Sequence, residues 1–448
     1  MSRLAGWALN CLYAALFIAA SPWIVWSAVR HGKHREGFGA KFFGLVPRRA
    51  GNRPCVWLHA VSVGEVNLLA TTIAEFTTQR PDWEIVVSTT TKTGYDLACK
   101  KYAEYSVFYC PLDFTWATAA AMRRVRPSLL VLAELELWPN LVVAAKRHGV
   151  QAAIINGRLS DKSFRGYRRI RALVAPSLRR LDLIAAQSEE IAERFRQLGA
   201  RCETVHATGS LKFDGAQTNR NNPRTVALKQ LVGLDEKSIV FLAGSTQEPE
   251  EQYALDIVHR LASVHPELKL IIVPRHPQRF DEVAALLDAS GIAWQRRSEL
   301  TPSTSGEVPP ASASSAWRVL LIDTIGELGA WWGAASIGFV GGSFGSRGGQ
   351  NMLEPAAYGV ATCFGPNTWN FRDIVARLLA ADGAKVVRSA EDLEAFVRQS
   401  LESPELAREL GERAQRLVLS QQGATRRTVE LLCSLHAPAA KSPVRKVA

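Results

Sequence analysis

Glu65 closes the stretch Val56-Trp57-Leu58-His59-Ala60-Val61-Ser62-Val63-Gly64-Glu65, which reads as a short buried strand running into a helix. In a parallel α/β sheet, ligands bind beyond the carboxyl ends of the strands. A carboxylate placed there can act as a general base. The same residues also form a capping box, Ser62-x-x-Glu65, in which each side chain bonds the other's backbone end of the helix. The stretch alone therefore favours a structural, capping glutamate over a catalytic one.

A second constellation is glycine-rich: Phe339-Val340-Gly341-Gly342-Ser343-Phe344-Gly345-Ser346-Arg347-Gly348-Gly349-Gln350-Asn351. It follows a strand and precedes a helix that starts near Asn351. Glycines let the backbone approach a phosphate, and a helix amino terminus offers free N–H groups. The pattern does not fit G-x-x-x-x-G-K-[ST], which argues against an ATPase P-loop. Glu354, three residues beyond Asn351, is placed to hold a ribose diol, and Asn351-x-x-Glu354 also suits helix capping.

Elements that would position these residues recur at regular intervals. In the first half, strands are expected at Val56–His59, Glu84–Thr90, Ser106–Tyr109, Leu129–Ala133, Ala152–Ile155 and Leu183–Ala186. The fourth runs into Glu134-Leu135-Glu136-Leu137-Trp138-Pro139-Asn140, ahead of an amphipathic helix from Leu141 to His148. In the second half, strands are expected at Ser238–Ala243, Leu268–Val273, Val319–Ile322 and Ile337–Val340, with helices from Leu401 to Leu435 closing the fold. Alternating β and α of this length predicts parallel, doubly wound sheets, with polar residues gathered after the strands. The polar stretch from Gly215 to Arg224 reads as a linker. The domains are thus expected at 35–214 and 225–435, followed by a basic tail at 437–448. Thr301–Ser315 is Ser/Pro-rich and reads as a surface loop.

Composition narrows the function. With 448 residues, 47% hydrophobic and 21% charged, the chain can bury two ordinary cores. Its seven cysteines are scattered, without a CxxC, which points to reduced thiols and no zinc site. The net charge of +12 suits nucleic acid, anionic membrane or a phosphorylated substrate. No nucleic-acid motif is visible, so the latter two lead.

Leu4 to Val29 is a run of 26 residues without a charge. At about 1.5 Å per residue it is long enough to cross a hydrocarbon core of about 30 Å. Trp7, Trp23 and Trp26 suit the interfaces, and Arg30, Lys33, Arg35 and Lys41 follow it, against Arg3 before it. This predicts a membrane anchor over 4–29 with the body on the cytoplasmic side. Pro22 would equally fit a bent interfacial helix.

Together these stretches, in this order, resemble the 3-deoxy-D-manno-octulosonic acid (Kdo) transferases of lipopolysaccharide assembly. The matching pieces run from His59–Glu65 through Glu134–Asn140, Asn156-Gly157-Arg158-Leu159-Ser160 and Ala185–Glu190 to Gly209-Ser210-Leu211-Lys212-Phe213-Asp214. They continue with Val273-Pro274-Arg275-His276-Pro277, Asp323–Leu328, Phe339–Gly349 and Asn351-Met352-Leu353-Glu354. The resemblance covers about Leu4 to Gln422. It implies a GT-B glycosyltransferase: two Rossmann-like domains facing a cleft, the first binding the acceptor and the second a CMP-sugar.

The resemblance also implies roles. Glu65 matches the general base that takes the acceptor hydroxyl's proton. Glu134 and Lys212 match positions that stabilise the transition state, which fits an oxocarbenium-like centre and an anionic leaving group. Pro274, Arg275, Ile325, Gly326, Glu327, Asn351, Met352, Leu353 and Glu354 match CMP-contacting positions. CMP-Kdo is implied as co-substrate and a lipid A precursor of the lipid IVA type as acceptor, in one inverting displacement without metal or other cofactor. Nucleic acid is not an expected partner. Read as ordinary residues, Glu134 would be an ion-pair partner of Arg158, Glu136 a solvated neighbour, Lys212 a surface lysine, Thr324-x-x-Glu327 a capping box, and His59 and His276 structural histidines.

The chain departs from the family pattern at three points. Gln247 stands where many relatives have His, Leu135 where Thr is common, and Met352 where Pro is frequent. Two other functions fit the same residues: a GT-B enzyme using another nucleotide sugar, and a non-catalytic lipopolysaccharide-binding membrane protein.

Overall fold

The computed structural model describes residues 3–31, 36–300 and 317–436. The Ser/Pro-rich stretch at 301–315, the basic tail at 437–448, and Lys33 and Arg35 lie outside the described residues. The chain divides into two units, Met1–Gly215 with Gln421–Ala448, and Ala216–Ser420.

The first unit is built on a parallel sheet of β1 (Cys55–His59), β2 (Glu84–Thr89), β3 (Ser106–Tyr109), β4 (Leu129–Ala133), β5 (Gln151–Gly157), β6 (Leu183–Ala186) and β7 (Val205–Ala207). Its helices include α1 (Arg3–His31), α2 (Phe38–Phe43), α3 (Val63–Gln79), α4 (Lys92–Lys101), α5 (Thr115–Val125) and α6 (Pro139–Arg147). The strand order is β3-β2-β1-β4-β5-β6-β7. β1 and β4 are buried along their whole length, as central strands covered on both faces must be. Their side chains alternate between two cores: Trp57, Leu130 and Leu132 on one face, Val56, Leu58, Leu129 and Val131 on the other. The chain leaves β1 toward β2 on one side and returns to β4 on the other. The crevice beyond the carboxyl ends of β1 and β4 is therefore the switch point, where an open α/β sheet offers room for a ligand.

α1 is a single 29-residue helix with Pro22 inside it. Asn10 turns its amide toward the start of α5, donating to the Thr115 hydroxyl at 2.8 Å, and the Tyr13 hydroxyl donates to Asp113 at 3.1 Å. Trp7, Leu12, Leu16, Ile18, Trp23 and Trp26 stay exposed. Among the described residues no helix is long and apolar enough to cross a membrane. The spanning form of the anchor expected over 4–29 is thus not supported there. Gly6, Asn10, Tyr13, Ser21 and Pro22 dilute the apolar run, and Asn10 is buried against the domain instead.

The second unit repeats the architecture with β8 (Ile239–Thr246), β9 (Leu268–Pro274), β10 (Trp294–Arg296), β11 (Val319–Leu321), β12 (Ile337–Val340), β13 (Ala361–Phe364) and β14 (Lys385–Val386). All pairings are parallel, in the order β10-β11-β9-β8-β12-β13-β14. Here the switch point falls between β8 and β12. The polar stretch after Gly215 leads into the helix Pro223–Leu231, where Pro223 opens the first turn and the Asn222 side chain accepts the Thr225 N–H at 3.0 Å.

One element sits apart from its neighbours in sequence. The helix Ala424–Ser434, expected with the second domain, belongs to the first unit. Ala424, Val429 and Leu432 share a buried cluster with Leu69, Ile73 and Phe76 of α3. Its amino terminus is capped by the Asp214 carboxylate, which accepts the N–H groups of Gly423 and Thr425.

Candidate active site

Glu65 is the third residue of α3, and the structure shows the capping bonds that its spacing predicts. Its carboxylate accepts the Val61 N–H at 2.9 Å and the Ser62 hydroxyl at 2.8 Å, while Ser62 caps the Glu65 N–H at 3.4 Å. The box closes on Val61 rather than on the capping residue itself, which pulls the carboxylate back over the end of β1. Only 9% of Glu65 is exposed. Burial pushes its pKa up, the Val61 and Ser62 bonds oppose this, and the nearby Glu134 charge adds to the rise. Such a carboxylate is a better proton acceptor than a solvated one, and each oxygen keeps a lone pair beyond its structural bond.

Glu134 is the first residue after β4, held at φ 55° with its N–H bonded to the Ile155 carbonyl at 2.9 Å. This left-handed turn redirects the chain at the switch point. Its carboxylate lies 3.6 Å from the Lys212 ammonium. Lys212 is exposed between buried Leu211 and Phe213. Asn156, at the end of β5, accepts the Leu211 N–H at 3.1 Å, and Asp214 caps the last helix. The Gly209–Asp214 segment is thus pinned on both sides of its lysine, which locates the cation beside the carboxylates.

Glu136 was legible only as a solvated neighbour, yet the structure half-buries it. Its pKa is pushed up to about 7, first by burial and then by the Glu65 charge, against a hydrogen bond from the Trp138 indole at 3.1 Å. His59 is fully buried, with Nδ1 2.9 Å from the Ser88 hydroxyl, and burial lowers its pKa to about 4. It stays neutral and serves as a core residue beneath the Trp138 ring, 6.2 Å away between centroids.

In the second unit, Pro274 ends β9 and Arg275 stands exposed in the following turn, its N–H on the Thr246 carbonyl at 3.0 Å. Asn351 donates to the Glu354 carboxylate at 3.0 Å. Burial raises the Glu354 pKa, and the Asn351 bond and the Arg275 charge bring it partly back. Arg275, Asn351 and Glu354 therefore form one group. Met352 and Leu353 are both buried. Ile325 is 82% exposed and Gly326 takes φ 86° at the tip of the loop after β11. Glu327 holds Arg297 through two bonds of 2.9 and 3.0 Å and accepts the Thr324 hydroxyl at 2.7 Å, so it braces this loop from behind.

The glycine-rich loop does hold an anion, but the anion is the chain's own. Buried Glu250, in the first turn of the helix Glu250–Leu261, accepts the N–H groups of Gly342 (2.7 Å), Ser343 (3.0 Å), Phe344 (3.2 Å) and Gln247 (2.9 Å). Gly341 is required for this approach, since a Cβ there would lie 2.7 Å from the carboxylate. Gln247 contributes here through its backbone. Nothing in the spacing of Glu250 pointed to a loop ninety residues away. Among the described residues no group of three or more His, Cys, Asp or Glu is arranged to hold a metal ion.

Two parallel, doubly wound units of this kind define the class of the GT-B glycosyltransferases. The fold is similar to a putative UDP-N-acetylglucosamine 2-epimerase from Listeria monocytogenes, with a TM-score of 0.54 over 86% of this chain and 96% of that one at 12% identity. Sequence comparison is more specific. Residues 35–215 match the family model for 3-deoxy-D-manno-octulosonic-acid transferase (kdotransferase). The chain is 34% identical to the 3-deoxy-D-manno-octulosonic acid transferase of Bordetella pertussis over 92% of its own length and 94% of the relative's. It is 33% identical to the Haemophilus influenzae transferase of the same name, over 94% and 97%. The chain belongs to the Kdo transferase family.

Proposed function

We propose that the protein transfers Kdo from CMP-Kdo to a phosphorylated, acylated glucosamine disaccharide of the lipid A precursor type, with inversion at the anomeric carbon. The observation that carries the reading is the buried Glu65 carboxylate at the switch point of the first unit, faced by the Glu134–Lys212 pair, in a chain of this family.

Glu65 takes the proton from the acceptor hydroxyl as that oxygen forms its bond to the anomeric carbon. The bond from that carbon to the phosphate oxygen breaks, and its electron pair leaves with CMP. Glu134 favours the positive charge that develops at the sugar centre, and Lys212 offsets the carboxylates around it. In the second unit, Arg275 is suited to the single phosphate of the donor, Glu354 with Asn351 to the ribose, and the exposed Ile325-Gly326 turn to the base, while buried Met352 and Leu353 anchor the segment between Asn351 and Glu354. No cofactor is required by this scheme.

The acceptor is a lipid, and the first unit carries a surface suited to one. α1 leaves three tryptophans exposed, and Phe38, Phe43 and Leu45 beside α2 are exposed as well. Arg30 lies over the Trp26 ring at 5.7 Å. Aromatic and basic side chains together favour a membrane interface with anionic headgroups. This surface holds the protein at the inner membrane, on its cytoplasmic side.

The experiment is CMP release from CMP-Kdo generated in situ, with and without a tetra-acylated lipid A precursor, followed by mass spectrometry of the lipid. Acceptor-dependent release with a gain of one or more Kdo masses is expected. Release without acceptor, or transfer only from a different nucleotide sugar, would overturn the reading.

A further inference from the structure

We propose that Asn10 and Tyr13 of α1 are positioning residues for the loop that carries Glu134: through Asp113 and Thr115 they fix the start of α6, on which that loop ends. The inference rests on the assignment of Glu134 above and goes beyond it, since α1 has so far been given only a surface.

The loop Glu134–Trp138 runs from the end of β4 to the start of α6. Its first end is held by the sheet, through the Glu134 N–H on the Ile155 carbonyl. Its second end is only as well placed as the first turn of α6, and that turn has no cap of its own. Trp138 stands at the capping position without a side-chain bond, and Pro139 follows it. The free N–H groups of Asn140 and Leu141 are bonded instead by the buried Asp113 carboxylate, at 3.0 and 2.8 Å. The Asn140 side-chain amide returns a bond of 2.6 Å to the Asp113 carbonyl. α5 is built in the same way: Phe114 precedes it without a capping bond, and its Thr115 N–H is bonded from outside.

Both arrangements lead to α1. The Asn10 side-chain oxygen accepts the Thr115 N–H at 3.1 Å and the Asn140 amide at 3.4 Å, while its own amide donates to the Thr115 hydroxyl at 2.8 Å. Tyr13, three residues on and therefore on the same face of the helix, donates its hydroxyl to the Asp113 oxygen that also takes the Asn140 N–H. Its ring meets Phe114 edge-on at 6.1 Å. α1 thus supplies one residue to the start of α5 and two to the start of α6.

Anchorage alone would require neither. Among the described residues of α1 only Gly6 and Asn10 are buried. The one buried side chain in a run of 26 uncharged residues is therefore an amide, where an apolar group would hold the helix to the unit without the cost of burying polar atoms. What the amide adds is direction, because its bonds satisfy N–H groups that no apolar side chain could reach. Direction matters at this point, since a displacement of about 1 Å at a reacting centre can cost roughly a hundredfold in rate.

The test uses the full chain with two variants: Asn10→Leu, which keeps α1 apolar, and Tyr13→Phe, which removes one oxygen. Hydrogen exchange is read first, by mass spectrometry, without donor or acceptor. The peptide spanning Glu134 to Leu141 should exchange several-fold faster in both variants, as on losing a helix cap, while peptides of the second unit keep the wild-type rate. Flotation of Asn10→Leu with vesicles of phosphatidylethanolamine and phosphatidylglycerol should be undiminished, and its CMP affinity unchanged. Its kcat for transfer should nevertheless fall roughly ten- to a hundredfold, with the donor KM unchanged. Wild-type exchange of that peptide in both variants overturns the proposal. So does a fall in rate that only tracks lost vesicle binding, which would leave α1 as an anchor. Should Asn10→Leu fail to fold, Tyr13→Phe decides. If the wild type transfers no Kdo, the functional reading falls, and the exchange measurement still decides whether α1 sets this loop.

Discussion

The Glu250 carboxylate accepts the backbone N–H of Gly342 at 2.7 Å, joining the helix that follows β8 to the loop that follows β12. With three further amides on the same side chain, it sets the shape of the glycine-rich loop before any ligand arrives. Replacing it by Ala would leave buried donors without partners, each costing about 1–3 kcal/mol. Glu250→Ala should therefore lower the stability of the second unit by on the order of 3 kcal/mol or more and weaken CMP binding. Calorimetric unfolding and CMP titration check both. Unfolding within about a degree of the wild type would show that the loop does not depend on this carboxylate.

Glu65 both caps α3 and is assigned as the base, and two substitutions separate the roles. Glu65→Gln keeps an oxygen for the Val61 N–H and should stay within about 1 kcal/mol of wild-type stability. Its transfer rate should drop by roughly 10²–10⁴ while CMP still binds, because a carboxamide cannot take the proton. Wild-type turnover in this variant would remove Glu65 from the chemistry and leave it as a cap.

The pair of Lys212 and Glu134 is open to solvent, with side chains 42% and 25% exposed. Its contribution to stability is then small, below about 1 kcal/mol. Lys212→Met should scarcely change the unfolding midpoint yet slow transfer by roughly a hundredfold, through loss of a charge next to the reacting sugar. A large loss of stability with unimpaired turnover would identify a structural lysine.

Burial lowers the His59 pKa from 6.5 to about 4. The unfolded chain then binds a proton that the folded chain refuses, so stability is full above about pH 6.5 and falls as the pH drops toward 4. The size of this term is about 3 kcal/mol for full burial of the neutral ring. Glu136 acts in the opposite sense, since a raised carboxyl pKa costs stability as the pH rises from about 4.5 to 7. Comparing His59→Gln with the wild type isolates the histidine: the wild type's lead in unfolding free energy should shrink as the pH falls from about 6.5 to 4. A pH-independent difference would contradict the assignment.

Much of both sheets was legible in the sequence because most of their strands are short apolar runs. β3, β4, β6 and β12 fall where those runs predict. The unanticipated β7, β10 and β14 are edge or near-edge strands of two or three residues, such as Trp294-Gln295-Arg296, whose polar side chains hide the pattern. β13 is buried but only four residues long, too short to carry a period. At the site, Glu65 could be read because a strand and a cap frame it. Glu136 could not, because the indole that orients it lies on the same loop and meets it only once the loop is folded. Glu250 owes its place to amides some ninety residues away, and Asp214 to a helix two hundred residues on. Contacts of that range leave no local trace.

That last contact has a consequence for how the chain is made. The apolar stripe that completes the first unit lies in the helix Ala424–Ser434, beyond the whole of Ala216–Ser420, while its cap, Asp214, lies before that stretch. At about 5–20 residues per second, a ribosome needs tens of seconds to synthesise that intervening stretch. Through this interval the face of α3 that carries Leu69, Ile73 and Phe76 waits without its cover, while the later unit has all of its own strands in hand as soon as it emerges. The half of the molecule translated first is thus the half finished last, its core closed only once the helix Ala424–Ser434 has left the tunnel.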